Sequence, residues 1–409
     1  MLGPSSLEVH DAGVSVGPGC VPPAGNLEDL TAMLSRGDLK EILCACAKAV
    51  EGGNFSRLNL LMSELQTMVS VSGEPFQRLA AYIFEGLVAR LSYSGSSIYK
   101  ALRCKEPASP QLMSYMQILF EVCPYFKFGY MLANGAIAEA TKSERKIHII
   151  DFMIAQGSQW VTLIQALASR PGGPPSMRVT GIDDSTSAYA RGGGVEIVGQ
   201  RLSRLAETWG VPFSFDSPGV PASRVEIGHL DLRPDEAIVV NFPLMLHHVP
   251  DESVCQENHR DRLIRLAKSL SPRVVTLIEQ ELNTNTATFS LRFAETMNHY
   301  EAIFESIDMA LPRDHKGRIN VEQHCLAREI VNVIACEGRE RVERHEPLGK
   351  WRSRFRMAGM SPYPLSAYVN VTIEGLLKGY SESYSLEERD GAVVLGWKNR
   401  PVVTSTAWW

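Results

Sequence analysis

The segment from Lys146 to Asp183 constrains the fold of this 409-residue chain more than any other segment. It begins with a short apolar run, KIHIID, which ends at Asp151, and it closes with a second run, MRVTGIDD, which ends at Asp183. An amphipathic stretch between the two runs predicts a helix. A strand, a helix and a second strand form a βαβ unit, which is the building block of nucleotide-binding folds. The sequence therefore predicts a Rossmann-like core around this unit.

The turn after the first predicted strand departs from a cofactor-binding loop. Folds that hold a dinucleotide or S-adenosylmethionine place glycines there, because a residue without Cβ lets the backbone approach the ligand. In steps of two from Asp151, those positions hold Met153, Ala155 and Gly157. Asp151 and Asp183 lie where an adenosyl cofactor would be bound, but such carboxylates also cap turns. We favour the capping role and predict a degenerate loop without a cofactor.

Alternating apolar strands and amphipathic helices continue beyond this unit. The patterns predict strands at 146–151, 177–182, 212–216, 237–241 and 272–279, and helices at 157–169, 195–209 and 251–270. Repeated βα units imply an α/β fold with a mostly parallel sheet and helices on both faces. Asp390-Gly391 predicts a C-terminal antiparallel hairpin. This plan is that of the S-adenosylmethionine-dependent methyltransferases, as a comparison of architecture only.

A helical block precedes the predicted sheet. Asp38 and Asn54 stand at N-cap positions, and Pro75 opens a third helix at its first position. Helical patterns continue to residue 140 and recur at 286–309 and 320–336. These patterns predict an all-helical cap.

The chain thus divides into predicted parts. Residues 1–27 are rich in Gly, Pro and Ser and predict a flexible leader. The all-helical cap covers 28–140 and is joined by an insertion near 284–335. The Rossmann-like core covers 141–409.

Charge and composition restrict the function classes. The net charge of -5 argues against a wholly basic nucleic-acid binder, so DNA contact requires a local patch. We find no apolar run long enough to span a bilayer and no signal peptide, so we expect an intracellular protein without a membrane partner. The eight cysteines are scattered without a CxxC pair, which indicates a reducing compartment and no zinc finger.

The richest basic segment covers residues 339–356. Its cations are candidates for DNA contact: Lys350, Arg352, Arg354, Arg356, Arg339, Arg341 and Arg344. The second half, KWRSRFR, interleaves arginine with aromatic residues, a composition suited to phosphates and to stacking. For Arg339, Arg341 and Arg344 we favour pairing with local glutamates instead. For the three arginines of the second half, both interpretations stay open.

Other patterns predict no catalytic chemistry. His247-His248 follows a predicted strand, but adjacent side chains point in different directions and no carboxylate or cysteine lies at ligand spacing, so we predict no metal site. Arg191 and the glycines after it precede a helix, but no strand directly precedes them, as a phosphate loop requires. Without a nucleophile elbow or a reactive-cysteine pattern, we predict that the protein is not an enzyme.

An apolar stripe runs along the second predicted helix of the cap. It contains Leu58, Leu61, Leu65 and Met68. Such a stripe is either a groove for a partner helix or the block's own core. Both roles are compatible when helices outnumber the faces that they can bury.

Several motifs in the same order resemble the GRAS family of plant transcriptional regulators. The sequence IHIID at 147–151 is similar to the VHIID motif of that family, with Ile147 where valine is usual. Residues 38–140 resemble its first leucine-rich region, and residues from about 190 to 225 resemble the second. Agreement of several ordered motifs is far more specific than any one of them.

The C-terminal part extends this resemblance. Arg328-Glu329 resembles the end of the family's PFYRE region. A W-x7-G spacing begins at Trp351, a W-x10-W spacing ends at Trp408, and both resemble the SAW region, in which Thr406 here replaces serine. Within the family, the chain is most similar to the SCARECROW-like branch.

The resemblance implies a nuclear regulator of plant transcription. The first hypothesis is a homodimer that binds DNA in a positively charged groove. The second is a co-regulator that binds no DNA and recruits other transcription factors through its leucine-rich helices. The third is a methyltransferase-like enzyme, against which the missing glycine loop argues.

Overall fold

The computed structural model describes residues 27–92, 109–183 and 194–409. Residues 1–26 of the predicted leader lie outside this range, and so do Arg191, Gly192 and Gly193. The centre of the molecule is a nine-stranded sheet. The strands are β1 Lys146–Asp151, β2 Ser176–Gly181, β3 Phe213–Asp216, β4 Ala237–Pro243, β5 Val274–Gln280, β6 Pro362–Tyr363, β7 Tyr384–Arg389, β8 Ala392–Trp397 and β9 Arg400–Trp408.

The sheet has the order β3-β2-β1-β4-β5-β9-β8-β7, and the short β6 pairs with β9. Strands β1 to β5 are parallel, whereas β9 is antiparallel to both β5 and β8. Asp390 and Gly391 have φ angles of 57° and 78° and join β7 to β8, as a two-residue hairpin turn requires. The predicted fold class is therefore confirmed. The hairpin forms one edge of the sheet, and β9 connects it to the parallel part.

Helices precede the first strand, alternate with the later strands along the chain and cover the sheet. They are α1 Leu27–Arg36, α2 Leu39–Glu51, α3 Phe55–Met68, α4 Pro75–Leu91, α5 Ser109–Val122, α6 Pro124–Ala140, α7 Ser158–Ala168, α8 Val195–Thr208, α9 His259–Ser269, α10 Phe289–Ala310, α11 Lys316–Val321, α12 Ala327–Ala335, α13 Leu348–Met357 and α14 Ala367–Leu377. Local capping chemistry explains several of their starts. The Asp38 side chain accepts hydrogen bonds from two backbone amides of α2, and Asn54 accepts one from α3. Both predicted N-caps are confirmed, and Pro75 is the first residue of α4, as predicted.

Two predicted helices differ from the observed ones. The helix predicted at 251–270 begins only at His259, because Asp251 accepts the backbone amide of Ser253 and Asn258 takes the N-cap position. The helix predicted at 320–336 is observed as α11 and α12, joined by a π-helical turn at Glu322–Leu326. Hydrophobic periodicity does not reveal either interruption.

Helices cover both faces of the parallel strands. On one face, α6, α7 and α8 form an apolar layer that includes Trp160 and Leu202. On the other face, α9 and α13 pack against the sheet, and Phe355 stacks on Trp408 of β9. When both faces of a sheet are covered, the residues on both sides of each strand are apolar. This explains the continuous apolar runs in the sequence.

Helices α2 to α5 pack with α10 to α12 in one apolar cluster. The same cluster continues into β8 and β9 through residues such as Leu395 and Val403. Because no apolar boundary separates these helices from the sheet, the division into a cap and a core stays a prediction. None of the helices in the described ranges is long and apolar enough to cross a membrane.

Candidate functional site

Asp151 ends β1 at the point where the strand order reverses between β1 and β4. Its carboxylate accepts hydrogen bonds from the Met153 amide at 3.1 Å, Trp160 Nε1 at 2.7 Å and Asn241 Nδ2 at 3.3 Å. Burial raises the pKa of Asp151 to about 7, although these three donors act in the opposite direction. The side chain thus joins the turn, α7 and β4, which supports the predicted capping role.

The loop after Asp151 keeps the backbone shape of a glycine-rich turn although it carries side chains. Ala155 and Gly157 both have positive φ angles, 44° and 67°. A Cβ on Gly157 would lie 2.9 Å from Val198 Cγ1, so glycine at this position lets α8 pack closely. Met153 is buried. The one glycine that remains therefore serves helix packing.

A small cavity lies in front of this loop. Its volume is about 50 Å³, and Met116, Tyr130 and Met153 are among the residues that line it. Ligand sites for small molecules typically occupy about 300–1,000 Å³. The cavity that the described residues enclose is therefore too small for an adenosyl cofactor.

Asp183 follows β2 and is half-buried. The chain from residue 184 to 193 lies outside the described residues, and it includes most of the glycine run before α8. The prediction that Asp183 caps its turn therefore stays a prediction.

His148 lies inside the sheet, where burial and two hydrogen bonds hold it neutral. Arg178 donates to its Nδ1 at 3.0 Å, and its Nε2 lies 2.8 Å from Thr180 Oγ1, whose hydroxyl donates to Asp216. Burial, assisted by the charge of Arg178, lowers the pKa of His148 to about 4. This histidine of the IHIID motif is therefore a structural link between β1, β2 and β3.

The neutral state of His148 predicts a loss of stability in acid. Its pKa is about 4 in the fold and 6.5 as a reference, so the unfolded chain takes up a proton first as the pH falls. We expect the wild type to lose on the order of 3 kcal/mol relative to His148→Gln between about pH 6.5 and pH 4. Guanidinium unfolding of both proteins across this pH range measures the difference. Parallel stability curves would show that His148 does not cause an acid effect.

Three of the seven candidate DNA-binding cations are buried. Arg341, Arg344 and Arg354 are 6%, 5% and 7% exposed. The guanidinium of Arg341 donates to the backbone carbonyls of Thr284 and Asn285, and that of Arg344 to the Asn285 side chain at 3.0 Å. Phosphates do not reach these groups in the folded protein, so the interpretation of all three as DNA contacts is corrected. Most of the hydrogen bonds that Arg341 and Arg344 donate are accepted by backbone carbonyls and not by the predicted local glutamates.

Arg354 is the centre of a buried ionic network. Its guanidinium contacts Glu346 at 2.6 Å, Asp251 at 3.2 Å and Asp261 at 2.7 Å. Arg260 lies on the other side, 3.3 Å from Glu346 and 3.5 Å from Asp251. Burial alone would raise the pKa of Asp251, but Arg260 and hydrogen bonds lower it to about 2. The network joins α13 to α9 and to the loop after β4.

The remaining four cations lie nearer to the solvent. Arg339 and Arg356 are exposed. Arg352 is half-buried and pairs with Asp390 at 2.9 Å, and Lys350 Nζ lies 2.5 Å from Thr286 Oγ1. Helix α13 therefore presents Lys350, Arg352 and Arg356 to the surface, but two of them are engaged within the molecule.

A cluster of histidines and a glutamate lies at the carboxyl end of β4 and β5. A 3₁₀ turn at Leu246–His248 brings the adjacent rings of His247 and His248 to 4.0 Å between centroids, and the ring of His345 stacks on His247 at 4.2 Å. His248 Nε2 lies 3.1 Å from Glu343 Oε2. We call His247, His248, Glu343 and His345 the histidine cluster.

Sequence reasoning missed this cluster. The side chains of His247 and His248 converge although they are adjacent, and Glu343 comes from 95 positions further along the chain. Glu279 accepts from His247 Nδ1 at 2.6 Å. Burial disfavours charge on His247, but Glu279 and Glu343 raise its pKa to about 10. Glu343 and His345 are two positions apart, and residues at this spacing in an extended segment lie on the same side. This spacing was the local signal of the cluster in the sequence.

The apolar stripe of α3 is not a free surface. Leu58, Leu61 and Leu65 are fully buried, and Met68 is half-buried against the same cluster. The stripe is therefore the core of the helical block, and the interpretation as a partner groove is wrong for these leucines.

Helix α14 has an exposed apolar side that was not predicted from the sequence. Tyr368, Val371 and Leu376 are 82%, 68% and 45% exposed. They share one side of the helix with Thr372 and Gly375, while Ile373 and other residues of the opposite side are buried. We call Tyr368, Val371, Thr372, Gly375 and Leu376 the outer face of α14. The signal in the sequence was a helix with apolar residues on two sides.

Comparisons with known proteins agree with this architecture. A family model described as the GRAS domain family matches residues 39–409. Scarecrow-like protein 5 of Arabidopsis thaliana is 69% identical over 92% of this chain and 63% of its own length. The Scarecrow-like transcription factor PAT1 of the same plant is 63% identical over 100% of this chain and 84% of its own length.

A solved structure gives the same result. The crystal structure of SCL7 in Oryza sativa is 34% identical and has a TM-score of 0.79, over 91% of this chain and 99% of that one. The present chain spans less than two thirds of Scarecrow-like protein 5. Since the family match extends from α2 to the end of β9 and the structural match covers nine tenths of the fold, this chain belongs to the GRAS domain family.

Proposed function

We propose that this protein is a nuclear, non-enzymatic regulator of plant transcription that acts by binding a DNA-binding regulatory protein. The outer face of α14 carries this proposal. Membership of the GRAS domain family and the name of PAT1 as a transcription factor support the regulatory role. The small cavity at Asp151 argues against an enzyme that uses an adenosyl cofactor there.

The outer face of α14 suits a helix of a partner. Exposed apolar groups gathered on one side of an element mark interaction surfaces more often than single exposed residues do. Tyr368, Val371 and Leu376 follow the spacing of anchors that a second helix covers, and a Cβ on Gly375 would meet no atom within 4 Å. Glu374 and Lys378 are exposed beside this face and offer polar contacts at its rim.

Removing the apolar side chains of this face tests the proposal. We expect Tyr368→Ser combined with Val371→Ser to lose binding to DNA-binding plant transcription factors in a pairwise two-hybrid screen. Stability changes by less than about 1 kcal/mol, because both side chains are exposed. The matched control is Met357→Ser, which removes a residue that is 74% exposed at the end of α13. If the double variant keeps every partner of the wild type, the outer face of α14 is not the binding surface.

A homodimer that binds DNA is the second candidate. The observation that favours it is the presence of Lys350, Arg352 and Arg356 on one helix, α13, with Arg339 exposed in the preceding turn. Phosphate contacts by these side chains would give binding that weakens with salt. The buried positions of Arg341, Arg344 and Arg354 and the net charge of -5 make this candidate the weaker one.

Selection from a pool of random DNA duplexes separates the two candidates. The purified chain alone is expected to enrich no sequence, and its affinity for DNA is expected to stay in the nonspecific range, at Kd values of about 10⁻⁴–10⁻⁶ M. An enriched sequence whose binding is lost in Arg352→Ala with Arg356→Ala would favour the second candidate. Light scattering on the same protein, free and bound, reports whether it is a dimer.

A further inference from the structure

The histidine cluster gathers ligand-type nitrogen atoms around the carboxylate of Glu343. Glu343 Oε2 lies 3.1 Å from His248 Nε2, 3.5 Å from His247 Nε2 and 3.8 Å from His345 Nε2. The ligand atoms of His247, Glu343 and His345 all lie within 4.8 Å of one another. The four side chains come from the turn after β4 and from the extended segment before α13.

Two of these nitrogens are buried and have no hydrogen-bond partner. They are Nε2 of His247 and Nε2 of His345, and both residues are 0% exposed. The hydroxyl of Thr284 donates to the Glu343 carbonyl, so His345 Nδ1 donates to Thr284 Oγ1 at 2.9 Å and Nε2 keeps a lone pair. That lone pair faces a carboxylate oxygen. Two acceptors in this arrangement repel each other unless a cation lies between them.

We propose that the histidine cluster binds one zinc ion through Nε2 of His247, Nε2 of His345 and the carboxylate of Glu343. A tetrahedral zinc site with bonds of about 2.0–2.2 Å separates its ligand atoms by about 3.3 Å. The distances from Glu343 Oε2 to Nε2 of His247 and Nε2 of His345, 3.5 Å and 3.8 Å, are slightly longer than this value. Two imidazoles and one carboxylate form a donor set that zinc accepts.

The surroundings of the cluster have the second layer of contacts that a metal site needs. Glu279 accepts from Nδ1 of His247 at 2.6 Å, which leaves Nε2 of that ring for a metal. Thr284 holds the ring of His345 in the same way. Three protein ligands leave a fourth position for water, and the buried ion would connect the turn after β4 to the segment before α13.

Metal analysis of the wild-type chain, purified without a histidine tag, tests the proposal directly. We expect one zinc per chain by elemental mass spectrometry, held against EDTA in the native protein and released by guanidinium. Refolding with Co²⁺ is expected to give the visible absorption of a tetrahedral cobalt site. These readouts use the wild type alone and do not depend on the folding of any variant.

Variants then locate the metal. His345→Ala and Glu343→Gln are expected to retain at most about a tenth of the zinc, and Glu279→Gln is expected to weaken binding by about 10–100-fold. Cys255→Ser is the matched control, because Cys255, Glu257 and His259 form another group of metal-ligand type within the described ranges. The control is expected to keep the full zinc content.

Two results would overturn the proposal. One is a wild type that is free of zinc as purified and takes up none when refolded with Zn²⁺, which would mean that a protonated His247 alone balances the carboxylates. The other is loss of zinc in Cys255→Ser with full retention in His345→Ala, which would assign the metal to the other group.

Discussion

Replacing Arg354 with alanine is expected to lower the free energy of unfolding by about 3–5 kcal/mol. The side chain is the shared partner of Glu346 and Asp251, and both carboxylates are fully buried. Without Arg354, Arg260 is the guanidinium in the described part of the chain that still forms ion pairs with both carboxylates. Removing one member of a buried ionic network costs far more than removing an exposed ion pair, because the remaining charges stay desolvated. Guanidinium unfolding followed by tryptophan fluorescence measures the change.

Arg356→Ala is the matched control for this prediction. It removes the same side chain from the same helix, two residues away, at an exposed position. We expect its stability to change by less than about 0.5 kcal/mol. Equal stabilities of the two variants would contradict the buried network. The comparison also matters for DNA binding, since lost binding by Arg354→Ala would reflect unfolding and not a lost phosphate contact.

Replacing Glu322 with alanine is expected to have a similarly large effect, about 3–5 kcal/mol. Glu322 lies in the π-helical turn between α11 and α12 and is fully buried. It binds Arg78 of α4 at 3.0 Å and Arg318 of α11 at 2.6 Å, and both arginines are also fully buried. Asp308 still contacts Arg78 at 2.8 Å in the variant, but Arg318 loses its carboxylate partner. In this variant, we expect the contacts between α4 and the helices that follow β5 to break before the rest of the fold unfolds.

Glu41→Ala provides the comparison for an exposed pair. Glu41 contacts Arg36 at 2.6 Å, but both side chains are largely exposed. We expect a change of less than about 1 kcal/mol. Hydrogen exchange of α4 and α12 separates a local opening from global unfolding in Glu322→Ala. A Glu322→Ala protein as stable as Glu41→Ala would show that the two arginines find other partners.

Features encoded over short distances were predictable from the sequence. The N-caps at Asp38 and Asn54, the turn at Asp390-Gly391 and the strand that ends at Asp151 each depend on residues within one turn or one strand. The parallel arrangement of strands β1 to β5 followed from the βα repeats, because repeated units of this kind imply a mostly parallel sheet.

Features that depend on distant partners were not predictable in this way. Arg354 reads as a surface cation in its own segment, yet its partners Asp251 and Glu252 are 103 and 102 positions away. His247 likewise meets Glu343 only in the folded chain. A charged side chain can be buried where the fold pairs it with an opposite charge. Local hydrophobic periodicity carries no information about such distant pairs.

The position of β9 has a consequence for synthesis of the chain. Among the described strands, β9 is the last to be made, yet it lies between β5 and β8. On the ribosome, the five parallel strands therefore emerge with the edge of β5 uncovered, and an uncovered edge pairs readily with other chains. The sheet closes only when the segment Arg400–Trp408 has left the exit tunnel. We expect nascent chains that stall before β9 to be bound by chaperones, although the helices of the described ranges have already been translated.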